Sequence, residues 1–131
     1  MIKQDYLIRM IQEIISLIVN AILNKKKIRK QEWTEYDCLT RQILGIPSEQ
    51  LICMDMQELI ERYNGDSNKI GKIELAAMTL LKISDEMENT ELLQKSKLRQ
   101  DGLRLLQYVQ KESNEYSIQR DALIKLLETN G

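Results

Sequence analysis

The segment that most limits what this chain can become is Ile14 to Lys30, IISLIVNAILNKKKIRK. A mostly apolar stretch runs through one Asn into the cations Lys25, Lys26, Lys27, Arg29 and Lys30. It is either a membrane anchor with its positive flank or the buried spine of a helical protein. Placed on a wheel at about 100° per residue, Asp5, Arg9, Gln12, Glu13, Ser16, Asn20 and Asn24 fall in one stripe about 120° wide. Leu7, Ile8, Met10, Ile11, Ile14, Ile15, Leu17, Ile18, Val19, Ala21 and Ile22 cover most of the rest. Tyr6 sits at the border, and Leu23 alone strays well into the polar stripe. A lipid-spanning helix has no reason to keep such a stripe. Asp5 to Arg9 and Arg9 to Glu13 are i,i+4 spacings, which add a few tenths of a kcal/mol each and belong in water. Leu7 to Leu23 is about 17 residues, the lower limit for a span. Arg9 and Glu13 lie inside it, and a charge at mid-membrane costs about 2.5–3.5 kcal/mol. A soluble buried helix is therefore expected, ahead of an amphipathic helix lying on a membrane or a true span.

An apolar arc wider than about 200° exceeds what one neighbouring helix covers. Either several helices surround this one or part of its face is an oligomer interface. Leu7, Ile11, Ile14, Ile18 and Ile22 step by four, three, four and four, close to a coiled-coil seam. Leu7, Ile11, Ile14 and Ile18 are accordingly the candidate self-association residues. Lys25, Lys26, Lys27, Arg29 and Lys30 read first as a helix carboxyl end, where cations complement the dipole. Their second reading is a candidate anion-binding run for phosphate or lipid headgroups. Nucleic acid fits less well, because it would want a net basic domain with interleaved aromatics. Trp33 and Tyr36 are near the run, but both fit the core face of the second helix.

Charge is uneven. Residues 1–30 hold seven Lys/Arg and two Asp/Glu, a net of +5, and residues 31–131 hold twelve against eighteen, a net of −6. The basic segment is suited to an acidic partner, to a membrane surface, or to the acidic remainder of the same chain.

The length of 131 residues is that of one domain. One Pro and five Gly leave room for long helices. Phe is absent, and a set rich in Leu, Ile and Met favours helix packing over a β-sandwich. No segment alternates apolar and polar long enough to make a strand. The expectation is a single all-α domain over 1–131, built as about six helices in antiparallel hairpins, tetratricopeptide-like or as an irregular bundle. Its parts are a long hydrophobic first helix with a basic exit (1–30), short helices (31–65), and a long hairpin plus a last helix (66–131).

Breakers and caps set the boundaries. The first helix runs from about Gln4 to Lys27. The second stops at Gly45, with Pro47 beyond. A short turn of helix follows from Ser48 to Met54. Asp55 and Glu58 make a capping-box-like start for a helix ending at Gly65. Ser67 caps the next helix, Asn89–Thr90 breaks the pattern, and Thr90 caps a helix through about Lys111. Gly102 inside it costs on the order of 1 kcal/mol against Ala and marks a close crossing or a kink. Ser117 or Asn114 caps a last helix ending near Glu128, followed by a frayed tail.

The opening, MIKQDYLIRMIQEI, with Ile2, Gln4, Asp5, Tyr6, Arg9 and Ile11, then Lys25 to Lys27 and later LGIPSEQL, resembles a family of small uncharacterised bacterial proteins, mostly from Firmicutes. The resemblance covers roughly residues 1–55. It implies an all-helical, tetratricopeptide-like layout and carries over no catalytic or binding residue. The chain departs from a true tetratricopeptide repeat, since no clear 34-residue period is present.

Chemistry is sparse. With no His and only Cys38 and Cys53, the common zinc sites and His-activated nucleophiles lack their parts. The two cysteines, without a CxxC or a secretory signal, read as free core thiols in a reducing cytoplasm. No glycine-rich phosphate loop exists. Asp85, Glu86, Glu88 and Glu91 crowd one helix junction, and read as a solvated acidic end rather than a metal site. Tyr63, Tyr108 and Tyr116 read as core or rim packing. The function expected is a non-enzymatic, cytoplasmic interaction or structural module without a cofactor, bound to another protein or to itself through the first helix. The alternative is membrane-surface or nucleic-acid binding through Lys25 to Lys30.

Overall fold

The computed structural model describes residues 4–129, so Ile2 of the opening motif and the last two residues lie outside it. The described residues form seven α-helices and no strand. They are α1 (Gln4–Leu23), α2 (Lys30–Leu44), α3 (Ser48–Leu51), α4 (Met56–Arg62), α5 (Lys69–Glu86), α6 (Leu92–Glu112) and α7 (Ile118–Thr129), with a 3-10 turn at Asn89–Glu91. The all-α class stands as expected.

The middle of the bundle is α5, not α1. From Leu75 to Lys82 every residue of α5 is buried. Its Ala76 and Ala77 are small enough to let neighbouring helices close in. α6 returns antiparallel along it, and Ser84 Oγ donates to the Lys95 carbonyl at 2.8 Å. Gly102 marks the crossing. A Cβ there would stand 2.7 Å from Leu81 Cγ and 3.3 Å from the Ala77 carbonyl oxygen, so only hydrogen fits. α7 folds back antiparallel on α6, where Gln110 Nε2 donates to Asp121 Oδ1 at 3.4 Å.

α1 lies on the other side of α5 and runs in the same direction. The two helices begin side by side, since Gln4 Nε2 donates to Asn68 Oδ1 at 2.8 Å and Asn68 Nδ2 donates back at 3.1 Å. At the far end α2 begins beside the end of α5, where Lys82 Nζ stands 4.3 Å from the centroid of the Trp33 ring.

Several boundaries move, each for a local reason. α1 ends at Leu23, not Lys27, because Lys25 takes a left-handed conformation (φ 54°). The Lys26 N–H then reaches the Ala21 carbonyl and the Lys25 N–H the Ile22 carbonyl, at 2.8 and 3.2 Å. These two bonds make a Schellman closure with Lys where Gly is usual. Gly45 ends α2 as expected, with φ 77°. α3 stops at Leu51, short of Met54. Asp55 caps α4, accepting from the N–H groups of Gln57 and Glu58. Ser67 does not cap α5. Asp66 Oδ1 instead takes the Asn68 N–H at 2.8 Å, one residue before the helix. Thr90 does not cap α6, because it is spent inside the 3-10 turn. Ser117 does cap α7, accepting the Arg120 N–H at 3.1 Å. The expected Asp5–Arg9 and Arg9–Glu13 pairs are absent from the ion pairs of the described residues. Glu13 accepts instead from the Tyr36 hydroxyl at 2.9 Å, a bond that holds the phenol above its ordinary pKa.

Candidate functional site

The candidate self-association seam is already occupied. Ile11, Ile14 and Ile18 are buried in the chain's own core and Leu7 is half-buried against it. The residues at seam spacing therefore lie inward in the single chain, with Leu7 only partly covered. The period marks the most buried line of a helix, and the chain supplies that burial itself.

The wide apolar arc of α1 is nevertheless not fully covered. Tyr6, Ile8 and Leu23 stay exposed, and Met10, Leu17, Ala21 and Ile22 are half-buried. On a wheel at about 100° per residue, Ile8 and Gln12 flank the buried line on one side, and Leu17 and Ala21 on the other. Each flank opens on a hollow.

The larger hollow is an open groove of about 710 Å³ between α1, the start of α5 and the α6–α7 loop. Ile8, Ile11, Ile15 and Ile70 give it an aliphatic wall, while Gln12, Asn68, Asn114 and Gln119 face it with amide groups. Gly71 sits on the floor, where a Cβ would meet Ile11 at 3.6 Å, an ordinary contact. Glu112 and Glu115 stand exposed on the rim. Tyr116, 70% exposed, stands at the lip.

Arg120 builds the back of this groove. It is 4% exposed, and each part of its guanidinium is spoken for. Nε donates to Gln110 Oε1 at 2.7 Å, Nη1 to Glu74 Oε2 at 3.0 Å, and Nη2 to the Glu115 carbonyl at 2.7 Å. The fork geometry of Arg suits such a three-way anchor, which ties α5, α6, α7 and the α6–α7 loop together. With its cation neutralised by Glu74, the groove presents Glu112 and Glu115 as net negative charge. Sequence reasoning missed Arg120. Its one signal was position, in the first turn of α7, where a helix dipole disfavours a cation unless an acid is near.

Lys25, Lys26, Lys27, Arg29 and Lys30 are all exposed, the first four in the loop between α1 and α2 and Lys30 at the first position of α2. They lie beyond the helix end rather than in its last turn, which holds no basic residue. Arg29 pairs with Glu32 at 3.7 Å, and no other ion pair among the described residues involves this run. The smaller hollow, about 260 Å³, lies behind it and is lined by Leu17, Ala21, Lys26, Lys27 and Glu32.

Cys38 and Cys53 are exposed and unbonded, against the expectation of core thiols. Cys38 lies on α2 in the turn after half-buried Trp33 and Tyr36, and falls outside the stripe that faces the core. Tyr63 is in the core, its hydroxyl donating to the Leu44 carbonyl at 2.8 Å, and burial raises its pKa. Asp85, Glu86, Glu88 and Glu91 are exposed. Among the described residues, no group of three or more His, Cys, Asp or Glu is placed to hold a metal ion.

Fold and groove together define a small all-α bundle with an open, acid-rimmed groove along its first helix. Compared with known proteins, the chain matches no protein family, no curated protein and no solved structure.

Proposed function

We propose that this protein is a non-enzymatic interaction module of the cytoplasm, which holds a segment of a partner protein in the groove beside α1. The observation that supports it best is the lining of that groove. An aliphatic wall from α1 and α5 faces amides and a carboxylate rim, on a volume within the range of ligand sites. An aliphatic wall answers an apolar side chain, and the rim answers a cation, so the fitting segment carries both. Arg120 is buried, its charge is met by Glu74, and three of its five N–H donors are already engaged, so it does not make the groove an anion site. Two exposed, unbonded thiols suit a reducing compartment. The consecutive antiparallel packing of α5, α6 and α7 is compatible with a tetratricopeptide-like layout, and the bacterial family that the opening resembles adds no residue to the groove.

The test is an amide-shift titration of labelled protein with two peptide pools, one basic and aliphatic, one acidic and aliphatic. The basic pool should move the amides of Gly71, Ser113 and Gln119. Ile8→Lys and Glu115→Lys should each weaken the effect by about tenfold, with the helical signal unchanged. Movement with the acidic pool alone, or with neither, overturns the proposal. A second reading gives the exposed run Lys25 to Lys30 an anionic membrane surface or nucleic acid as partner, on the strength of its exposure.

A further inference from the structure

The loop at 24–29, with Lys30 just after it, and the turn at 85–91 lie at the same end of the bundle. The 4.3 Å contact between Lys82 and Trp33 fixes this, because Trp33 follows the basic run by three residues and Lys82 precedes Asp85 by three. One patch at this end is cationic, with five exposed cations. The other is anionic, with four exposed carboxylates at Asp85, Glu86, Glu88 and Glu91. Asp85 and Glu86 sit in the last turn of α5, where the helix dipole is already negative, while Glu91 sits at the start of α6.

The two patches do not neutralise one another within the chain. The ion pairs there are local, Arg29 with Glu32 and Lys82 with Glu86, and no pair among the described residues joins the basic run to the acidic turn. Beside them stand two apolar side chains at the start of α6, Leu92 at 62% and Leu93 at 91% exposure. Two adjacent apolar side chains this open, flanked by charge of both signs, are where burial against another surface would gain most at this end.

We infer that this end of the bundle is a self-complementary interface that pairs with a second copy of the chain. A two-fold axis near Leu92 and Leu93 places each basic loop over the partner copy's acidic turn, and the attraction occurs twice. The leucines meet at the centre, and the charged groups form the rim, the usual distribution in an interface. A lipid surface fits the end less well. The acidic turn beside the loop would be repelled by the same headgroups that attract the lysines. Nucleic acid meets the same repulsion. It also lacks a stacking platform nearby, since Lys82 covers the face of Trp33 and Tyr36 is bonded to Glu13. This dimer lies at the opposite end from the groove and does not depend on its function.

The test is a charge swap read by light scattering and sedimentation of the full chain. The wild type should form a dimer with a dissociation constant on the order of 10 μM at about 20 mM salt, and should weaken at about 500 mM salt, where surface charges are screened. The loop-reversed variant, Lys25→Glu with Lys26→Glu and Lys27→Glu, should be monomeric. So should the turn-reversed variant, Asp85→Lys with Glu88→Lys and Glu91→Lys, which spares the Glu86 partner of Lys82. All six positions are exposed, so the helical signal should hold. Mixed in equal amounts, the two variants should recover a dimer, because each loop then faces a turn of opposite sign. Leu93→Ser should weaken the wild-type dimer at least about tenfold. A monomeric wild type at low salt, a dimer indifferent to either reversal, or a mixture that stays monomeric overturns the inference. Wild-type monomer bound to anionic vesicles, and bound more tightly when turn-reversed, would assign the loop to a membrane instead.

Discussion

α1 and α5 are nearly the same length, and they invert the expected relation between hydrophobicity and burial. α1 has the wider and more continuous apolar arc, yet buries five of its 20 residues. α5 carries Lys, Glu, Thr and Ser among its apolar positions and buries ten of 18. Position explains the difference. α5 has α1 and α2 on one side and α6 on the other, so even Thr79 and Ser84 are enclosed. Their hydroxyls donate to the carbonyls of Leu75 and Lys95, which makes that enclosure tolerable. α1 touches α5, α2 and α7 without being surrounded, and its surplus apolar surface becomes the wall of a groove. Composition states how much a helix would gain by burial, while topology states how much burial it receives.

The sharpest way to break this comparison is to truncate the same residue type in both helices. Leu80→Ala, at a fully buried position of α5, should cost about 3–4 kcal/mol. Leu17→Ala, half-buried on α1, should cost about 1 kcal/mol or less. Urea unfolding of both variants measures the gap, and equal costs would remove the distinction. Gly102→Ala comes next, at about 1–3 kcal/mol, because the added Cβ meets Leu81 at 2.7 Å. In a Leu81→Ala background the cost of the same change should shrink, since the 2.7 Å contacts are gone and only the Ala77 carbonyl oxygen at 3.3 Å still crowds the Cβ. A double-mutant cycle by thermal unfolding reads that coupling, and additivity would place the strain elsewhere.

Lys25→Gly sharpens the account of where α1 ends. It should stabilise the protein by about 1 kcal/mol, because Gly adopts the left-handed φ of 54° without the Cβ penalty. A loss of stability, measured by urea midpoint, would mean that the lysine side chain contributes more than its backbone costs. The smallest effect concerns the start of α5, where the Lys72 ammonium bonds Asp66 Oδ2 at 2.7 Å and draws the carboxyl below its ordinary pKa. A carboxyl depressed in the folded state contributes stability above its unfolded pKa and loses it as pH falls through the folded value. Stability should therefore decline on the acid side of about pH 4, and Asp66→Asn should flatten that decline. An unchanged acid limb would show that the pair contributes nothing.

Much of the secondary structure was legible because its signals are local. Gly45 with Pro47 beyond it, Asp55 ahead of α4 and Ser117 ahead of α7 act within three residues of themselves, and each does what its chemistry specifies. Ser67 and Thr90 misled for a related reason. Asp66 and the 3-10 turn competed for the same backbone groups and won. The groove was hidden because its parts come from α1, α5 and the α6–α7 loop, separated by up to about a hundred residues of chain, as in the Ser16 hydroxyl facing Gln119 at 3.5 Å. The exposure of Cys38 and Cys53 was likewise invisible, since a thiol carries little local preference and its burial depends on what packs above it.

The chain alone determined that it would be helical and where many of its helices begin and stop, because propensity, capping and the 3.6-residue period act over a few residues. Only the tertiary structure decided that α5 rather than α1 is central, that the seam of α1 is consumed inside the molecule, and that one end carries opposite charges side by side. Those outcomes depend on which helix occupies the limited space next to another. Hydrophobic attraction has no direction of its own, so packing geometry makes the choice.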